Sequence, residues 1–171
     1  MNPTQKQPTT SGALADLTPA DILRCAARYL EIRGWTQGTY FDRTDELWFP
    51  PACVSSAIAM AVFGDCTPVL LNAQQTPDVV AYRNAVTVLV DFLDLRETPA
   101  SDTDADHILP FTWNDHPART AEQVITTLRD AADDYDWTHA TEDDLETYAE
   151  HEYSQERLPT RIGYLVWRAT R

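Results

Sequence analysis

A chain of 171 residues and 19.3 kDa suits a single domain that buries roughly two-thirds of its unfolded surface. Twenty-seven acidic against 13 basic residues leave a net charge of −14 and a pI near 4.4, so the chain repels nucleic acid and anionic lipid wherever it lacks a local basic patch. No apolar run approaches the ~20 residues of a membrane span, and three cysteines without CxxC spacing (Cys25, Cys53, Cys66) argue against a disulfide framework or structural zinc and for a reducing cytoplasm.

Residues 1–17 are rich in Pro, Thr, Gln and Ser without periodicity, which predicts a disordered lead-in. Met1 to Ala15 lack the apolar centre of a secretory signal. Order begins at Thr18-Pro19-Ala20-Asp21, a cap, a helix-opening proline and an acid at the positive helix end. Ile22, Leu23, Ala26, Ala27 and Leu30 then recur at helical spacing, with Arg24, Arg28 and Glu31 outward and Gly34 as the stop. Cys25 falls on a stripe with Ile22, Tyr29 and Ile32 and reads as core. Residues 35–49 carry Trp35, Tyr40, Phe41, Trp48 and Phe49 without a period, the pattern of a loop packed onto the core by its rings.

Pro50-Pro51 opens a helix from Ala52 to Phe63, closed by Gly64. Its many small residues predict close packing and a central position. Thr76-Pro77-Asp78 repeats the start signal for Val79 to Leu95, apolar on most faces and therefore buried. The run Val86 to Val90 has strand propensity, but the length and the cap favour helix. Residues 97–117 read as a long polar loop. Thr120-Ala121-Glu122-Gln123 is a capping box before the stripe Val124, Ile125, Leu128, Ala131, Ala132 and Tyr135. A shorter helix capped by Thr141 runs to about His151. Arg161 to Arg168, aromatic and β-branched, has room to be a short strand, which would need a partner in residues 67–71 or in another subunit. The expected fold is mainly α: one compact domain of about five helices with aromatic-rich loops. Its parts are a disordered segment 1–17, a helical core 18–138, and an acidic helix plus aromatic extension 139–171.

Three blocks together carry a family resemblance: Ile22 to Ala27 through Gly34-Trp35-Thr36-Gln37-Gly38; Pro50-Pro51-Ala52-Cys53 with Ala57-Ile58; and Trp113-Asn114-Asp115 with Arg119-Thr120 and Val124-Ile125. Over about residues 20–138 the chain resembles a family of small hypothetical proteins from actinobacteria, chiefly Streptomyces, and their phages, classed as a domain of unknown function. Twelve of the 13 basic residues are arginine, a bias that agrees with a GC-rich origin. Ser55-Ser56 stands where members of that family often carry a glycine. The resemblance implies a fold unit and an origin, and no activity.

Cys53 is the sharpest candidate for chemistry. It sits at the predicted start of a helix, where free amides and the macrodipole favour a thiolate, and His107 or His116 with Asp115 would complete a cysteine-nucleophile set. The plainer reading, a small residue in tight helix packing, weighs more among these alanines. Trp113-Asn114-Asp115 ahead of His116-Pro117 reads first as a turn anchored by Trp113 and second as a binding loop. Trp35, Tyr40, Trp48 and Trp113 would serve as the wall of a small-ligand pocket.

The third feature is an acid block. Eleven acids, among them Asp130, Asp133, Asp134, Asp143, Asp144, Glu146 and Glu150, lie between residues 130 and 156 with no Lys or Arg. The bland reading is a solvated face. The functional one is docking to a basic protein surface. Asp143, Glu146, Glu150 and His151 match no established metal pattern, and no metal or cofactor is expected. No phosphate-cradle, hydrolase or kinase motif occurs. The expectation is thus a non-enzymatic acidic interaction protein, with a small-ligand binder or a Cys53 enzyme as alternatives. Homo-oligomerisation through the C-terminal segment would fit, whereas direct binding to nucleic acid or membrane would not.

Overall fold

The computed structural model describes residues 17–42, 48–67, 74–97 and 110–170. Its first helix, α1 (Pro19–Arg33), starts where Thr18 accepts the Asp21 amide while the Asp21 carboxylate takes the Thr18 amide, a reciprocal cap. Gly34, at φ 99°, ends it. The second, α2 (Val54–Phe63), stops at Gly64, whose left-handed φ of 69° lets its N–H reach the Met60 carbonyl.

The third, α3 (Pro77–Glu97), confirms helix for the β-branched run 86–90. Val79, Tyr82, Ala85, Leu89, Phe92 and Leu93 are buried along it, at the three- and four-residue steps a helix face requires. A short α4 (Pro110–Asn114) lies where a polar loop was expected, and α5 (Ala121–Thr138) begins at the Thr120–Gln123 capping box. The Thr141-capped α6 (Glu142–Ser154) follows.

The C-terminal segment is a helix and not a strand. α7 (Arg161–Arg168) is capped by Thr160, which accepts the Gly163 amide. Propensity pointed to a strand, but tertiary context decided otherwise. Arg161, Tyr164 and Arg168, three and four apart, all turn towards α5, where they meet Asp134, Trp137 and Asp136. No strand occurs among the described residues. Only isolated bridges tie Ala52 to Trp35 and Phe41.

α1, α2, α3 and α5 pack on one another, α4 leans on α2 and α3, and α7 joins α6 to α5. The core between them holds Ile22, Leu23, Leu30, Ile58, Leu89, Val124 and Leu128, all nearly solvent-free. Small residues on α2 (Ala57, Ala59, Ser56) allow the close approach the sequence predicted. Cys25 corrects the expectation, since it is exposed. Its stripe partner Ile32 is also largely in water, so the buried face of α1 runs instead through Ile22, Leu23, Ala26, Ala27 and Leu30.

Candidate functional site

A concavity lies at the start of α2. The chain leaving α1 arches over residues 50–53 and is stitched to them by backbone bonds. Thr36 N donates to Ala52 O, Ala52 N to Gly34 O, Asp42 N to Pro51 O and Cys53 N to Tyr40 O, all at 2.8–3.2 Å. Gly38 turns the arch at φ 70°, a conformation that side chains disfavour.

The end of α4 locks this arch from the other side. Asn114 is fully buried and uses both ends of its amide. Its Oδ1 accepts from Trp35 Nε1 at 2.7 Å and from Val54 N at 3.2 Å. Its Nδ2 donates to Thr36 O at 3.1 Å and to Asp115 Oδ1 at 2.7 Å. Gln37 reaches the carbonyls of Asn114 and His116, and the Gly38 amide donates to Asp115 Oδ1 at 3.0 Å. Asn114 therefore ties arch, α2 and α4 into one unit. The sequence reading made it part of a turn, but the structure makes it the last residue of α4 and a buried hub. A buried amide with every partner in place fixes geometry firmly, because each lost partner would leave a desolvated group behind.

Between arch and hub lies an open pocket of about 300 Å³, lined by Gly38, Thr39, Tyr40, Cys53 and Asp115. Cys53 is the N-cap residue of α2 and is 3% exposed. Its thiol lies 3.8 Å from the Ser56 hydroxyl. Burial, chiefly, and the Asp115 charge push its pKa up, against the downward pull of Ser56 and Ser55. Burial, the largest of these influences, favours the neutral thiol, the reverse of what a cysteine nucleophile needs. His116 is exposed and does not line the pocket, and its Nδ1 accepts the Ala118 amide. His107 lies outside the described residues. The structure thus joins Cys53 to Asp115 without His116.

Behind Cys53, Tyr82 is buried, and its phenol is pushed up to about 12 by burial, helped by Cys53 and Tyr40 and opposed by a bond with the Ser55 side chain. Cys66, past the end of α2, packs instead against α1, 3.3 Å from the Tyr29 hydroxyl.

The four aromatics expected to form one wall are dispersed. Tyr40 lines the pocket and is half-exposed, whereas Trp48 is 92% exposed. Trp113 is in the core under the Arg119 guanidinium, 4.2 Å from its ring centre. The Trp35 indole is held by Asn114. Gly38 and Thr39 were missed as pocket residues, although Thr-Gln-Gly-Thr is a turn signal that pointed to them.

The acid block divides in two. Asp133 and Asp136 take the Arg24 guanidinium at 2.6 and 2.7 Å, Asp134 takes Arg161 at 3.0 Å, and Glu152 takes Arg157 in a two-pronged pair at 2.8 Å. Asp136 is buried and also faces Arg168 at 3.2 Å. Arg157 holds the Glu152 carboxyl below the usual carboxylate range.

Asp130 is half-buried on α5, and Asp144 lies in the first turn of α6, where its amide donates to the Thr141 hydroxyl and its carboxylate accepts that hydroxyl's proton. Glu142, Asp143, Glu146 and Glu150 are exposed on α6, and among the described residues none of them has a cationic partner. Among the described residues no three His, Cys, Asp or Glu side chains gather as a metal site, and no helix is long and apolar enough to cross a membrane.

Residues 14–134 match a family of unknown function, DUF6197, and the chain belongs to that family. The match takes in the pocket and stops before α6 and α7. No curated protein and no solved structure is detectably similar.

Proposed function

We propose that this protein is a non-enzymatic interaction protein that engages a basic protein surface through the outward face of α6. One observation carries the reading. Asp143, Glu146 and Glu150, three and four residues apart, stand together in water without an internal counter-ion among the described residues, while Asp133, Asp134 and Asp136 of α5 are matched by arginines of this same chain. A single-sign helix face raises the encounter rate with a cationic partner and sets the approach more than it adds affinity. The surface is narrower than the span 130–156, because Asp133, Asp134, Asp136 and Glu152 are already engaged. The arginine-for-lysine bias supports an actinobacterial or phage origin, and the free thiols favour the cytoplasm.

The test uses the full chain as bait in host extract, at low and high salt, beside a variant carrying E142Q, D143N, E146Q and E150Q. The expected result is a partner that is retained at low salt, released at high salt and lost to the neutralised variant. Equal retention by both baits refutes the proposal.

A further inference from the structure

We infer that the pocket at the start of α2 is a binding site for a small organic cation carrying an ammonium group, held by Asp115 and Tyr40. The argument starts from what the pocket cannot take. A helix N-terminus ordinarily attracts anions through its free amides. Here the Val54 amide is already bonded to Asn114 Oδ1, and the Ser55 and Ser56 amides act on the Cys53 sulfur. The floor therefore offers an anion nothing.

The rim offers a carboxylate instead. Asp115 Oδ1 is fixed by two donors, the Gly38 amide and Asn114 Nδ2. Asp115 lines the pocket, and among the described residues its Oδ2 takes no donor. A carboxylate clamped on one oxygen and open on the other is pre-organised for a charge-assisted bond, since little side-chain freedom is lost on binding.

The remaining lining suits the rest of such a ligand. Tyr40, half-exposed, lines the same pocket as the carboxylate, and an aromatic ring attracts cations to its face. Thr39 donates its hydroxyl proton to the Phe41 carbonyl at 3.2 Å, which leaves the oxygen lone pairs for an ammonium N–H. The neutral, buried Cys53 thiol provides a soft apolar floor. A volume of about 300 Å³ is at the small end of ligand sites, so the occupant is a compact amine. The net charge of −14 concentrates cations around the whole molecule.

The full chain, labelled with ¹⁵N, is titrated with putrescine, ethanolamine and choline, and with acetate as the anionic control. Saturable shifts of the Gly38, Thr39 and Asp115 amides with one or more amines, and none with acetate, are expected. Asp115→Asn keeps the acceptor that Gly38 uses, and it should weaken binding about tenfold or more. Tyr40→Leu, at a half-exposed position, should also weaken it, and Glu122→Gln, an exposed charge that does not line the pocket, should not. The inference is overturned if no amine moves these amides, if acetate moves them equally, if Asp115→Asn binds as tightly as the native chain, or if Glu122→Gln weakens binding as much as Asp115→Asn does.

Discussion

Asn114→Ala tests the hub on which the pocket rests. The substitution removes four hydrogen bonds, to Trp35, Val54, Thr36 and Asp115. Their values differ. Asp115 is exposed and keeps Gly38, so water compensates it. Val54 is fully buried, and its orphaned amide costs about 1–3 kcal/mol. The half-buried Trp35 indole and Thr36 carbonyl add roughly 0.5–1 kcal/mol each where water reaches them poorly. The sum is about 3 kcal/mol, and for a chain of this size each kcal/mol lowers Tm by roughly 2–4 °C. Urea unfolding followed by circular dichroism should show a lower midpoint at unchanged slope. Trp35→Phe, which deletes the same indole donor, should cost clearly less in the Asn114→Ala background than alone, with a coupling of about 1 kcal/mol. A loss below about 1 kcal/mol for Asn114→Ala, or strict additivity of the pair, would refute the hub.

Two further outcomes follow from other contacts. Gly163→Ala should loosen the C-terminal helices by about 1–3 kcal/mol, because the new methyl would collide with the Tyr148 hydroxyl; Tyr148→Phe in the same chain should recover part of the loss, as hydrogen exchange across α6 and α7 would show. Tyr82 titrates near 12 when folded and near 10 when unfolded. Its contribution, on the order of 2 kcal/mol, is fully present below pH 10 and lost as pH rises from 10 through 12. Urea midpoints at several alkaline pH values should fall more steeply for the native chain than for Tyr82→Phe. Equal slopes would refute that linkage.

What the sequence made legible was whatever local chemistry decides. The caps Thr18, Thr120 and Thr141 announced their helices because a side chain three residues from its amide needs no tertiary partner. The α5 stripe of Val124, Leu128, Ala131 and Ala132 was visible for the same reason. Cys25 misled because two apolar stripes on α1 overlap in sequence, and only the packing of α2 and α5 chooses between them. Arg161 to Arg168 misled because its residue types favour strand while its spacing favours helix. Cys53 was placed correctly at a helix start, but its neighbours were not foreseen. That Asp115, 62 positions later, would sit beside it and raise its pKa is a fact of tertiary structure. Asn114 carried no signal at all for its buried role, since Asn in a turn and Asn in a hub look alike in one sequence.

The acid block shows the same limit in electrostatic form. A run of carboxylates has no fixed meaning until the fold places the arginines, and here they arrive from both ends of the chain. Arg24 from α1 and Arg168 from α7 converge on Asp136, whose side chain is 4% exposed. Removing either cation leaves a buried charge half-compensated, which is far costlier than losing a surface pair. Asp134 and Arg161 add a second tie, with the guanidinium also 5.6 Å from the Trp137 ring centre. These pairs anchor α7 to α5, and α7 in turn carries α6. The inward acids are therefore what positions the outward ones: the charge that holds α7 in place also holds α6, on which Asp143, Glu146 and Glu150 stand together in water.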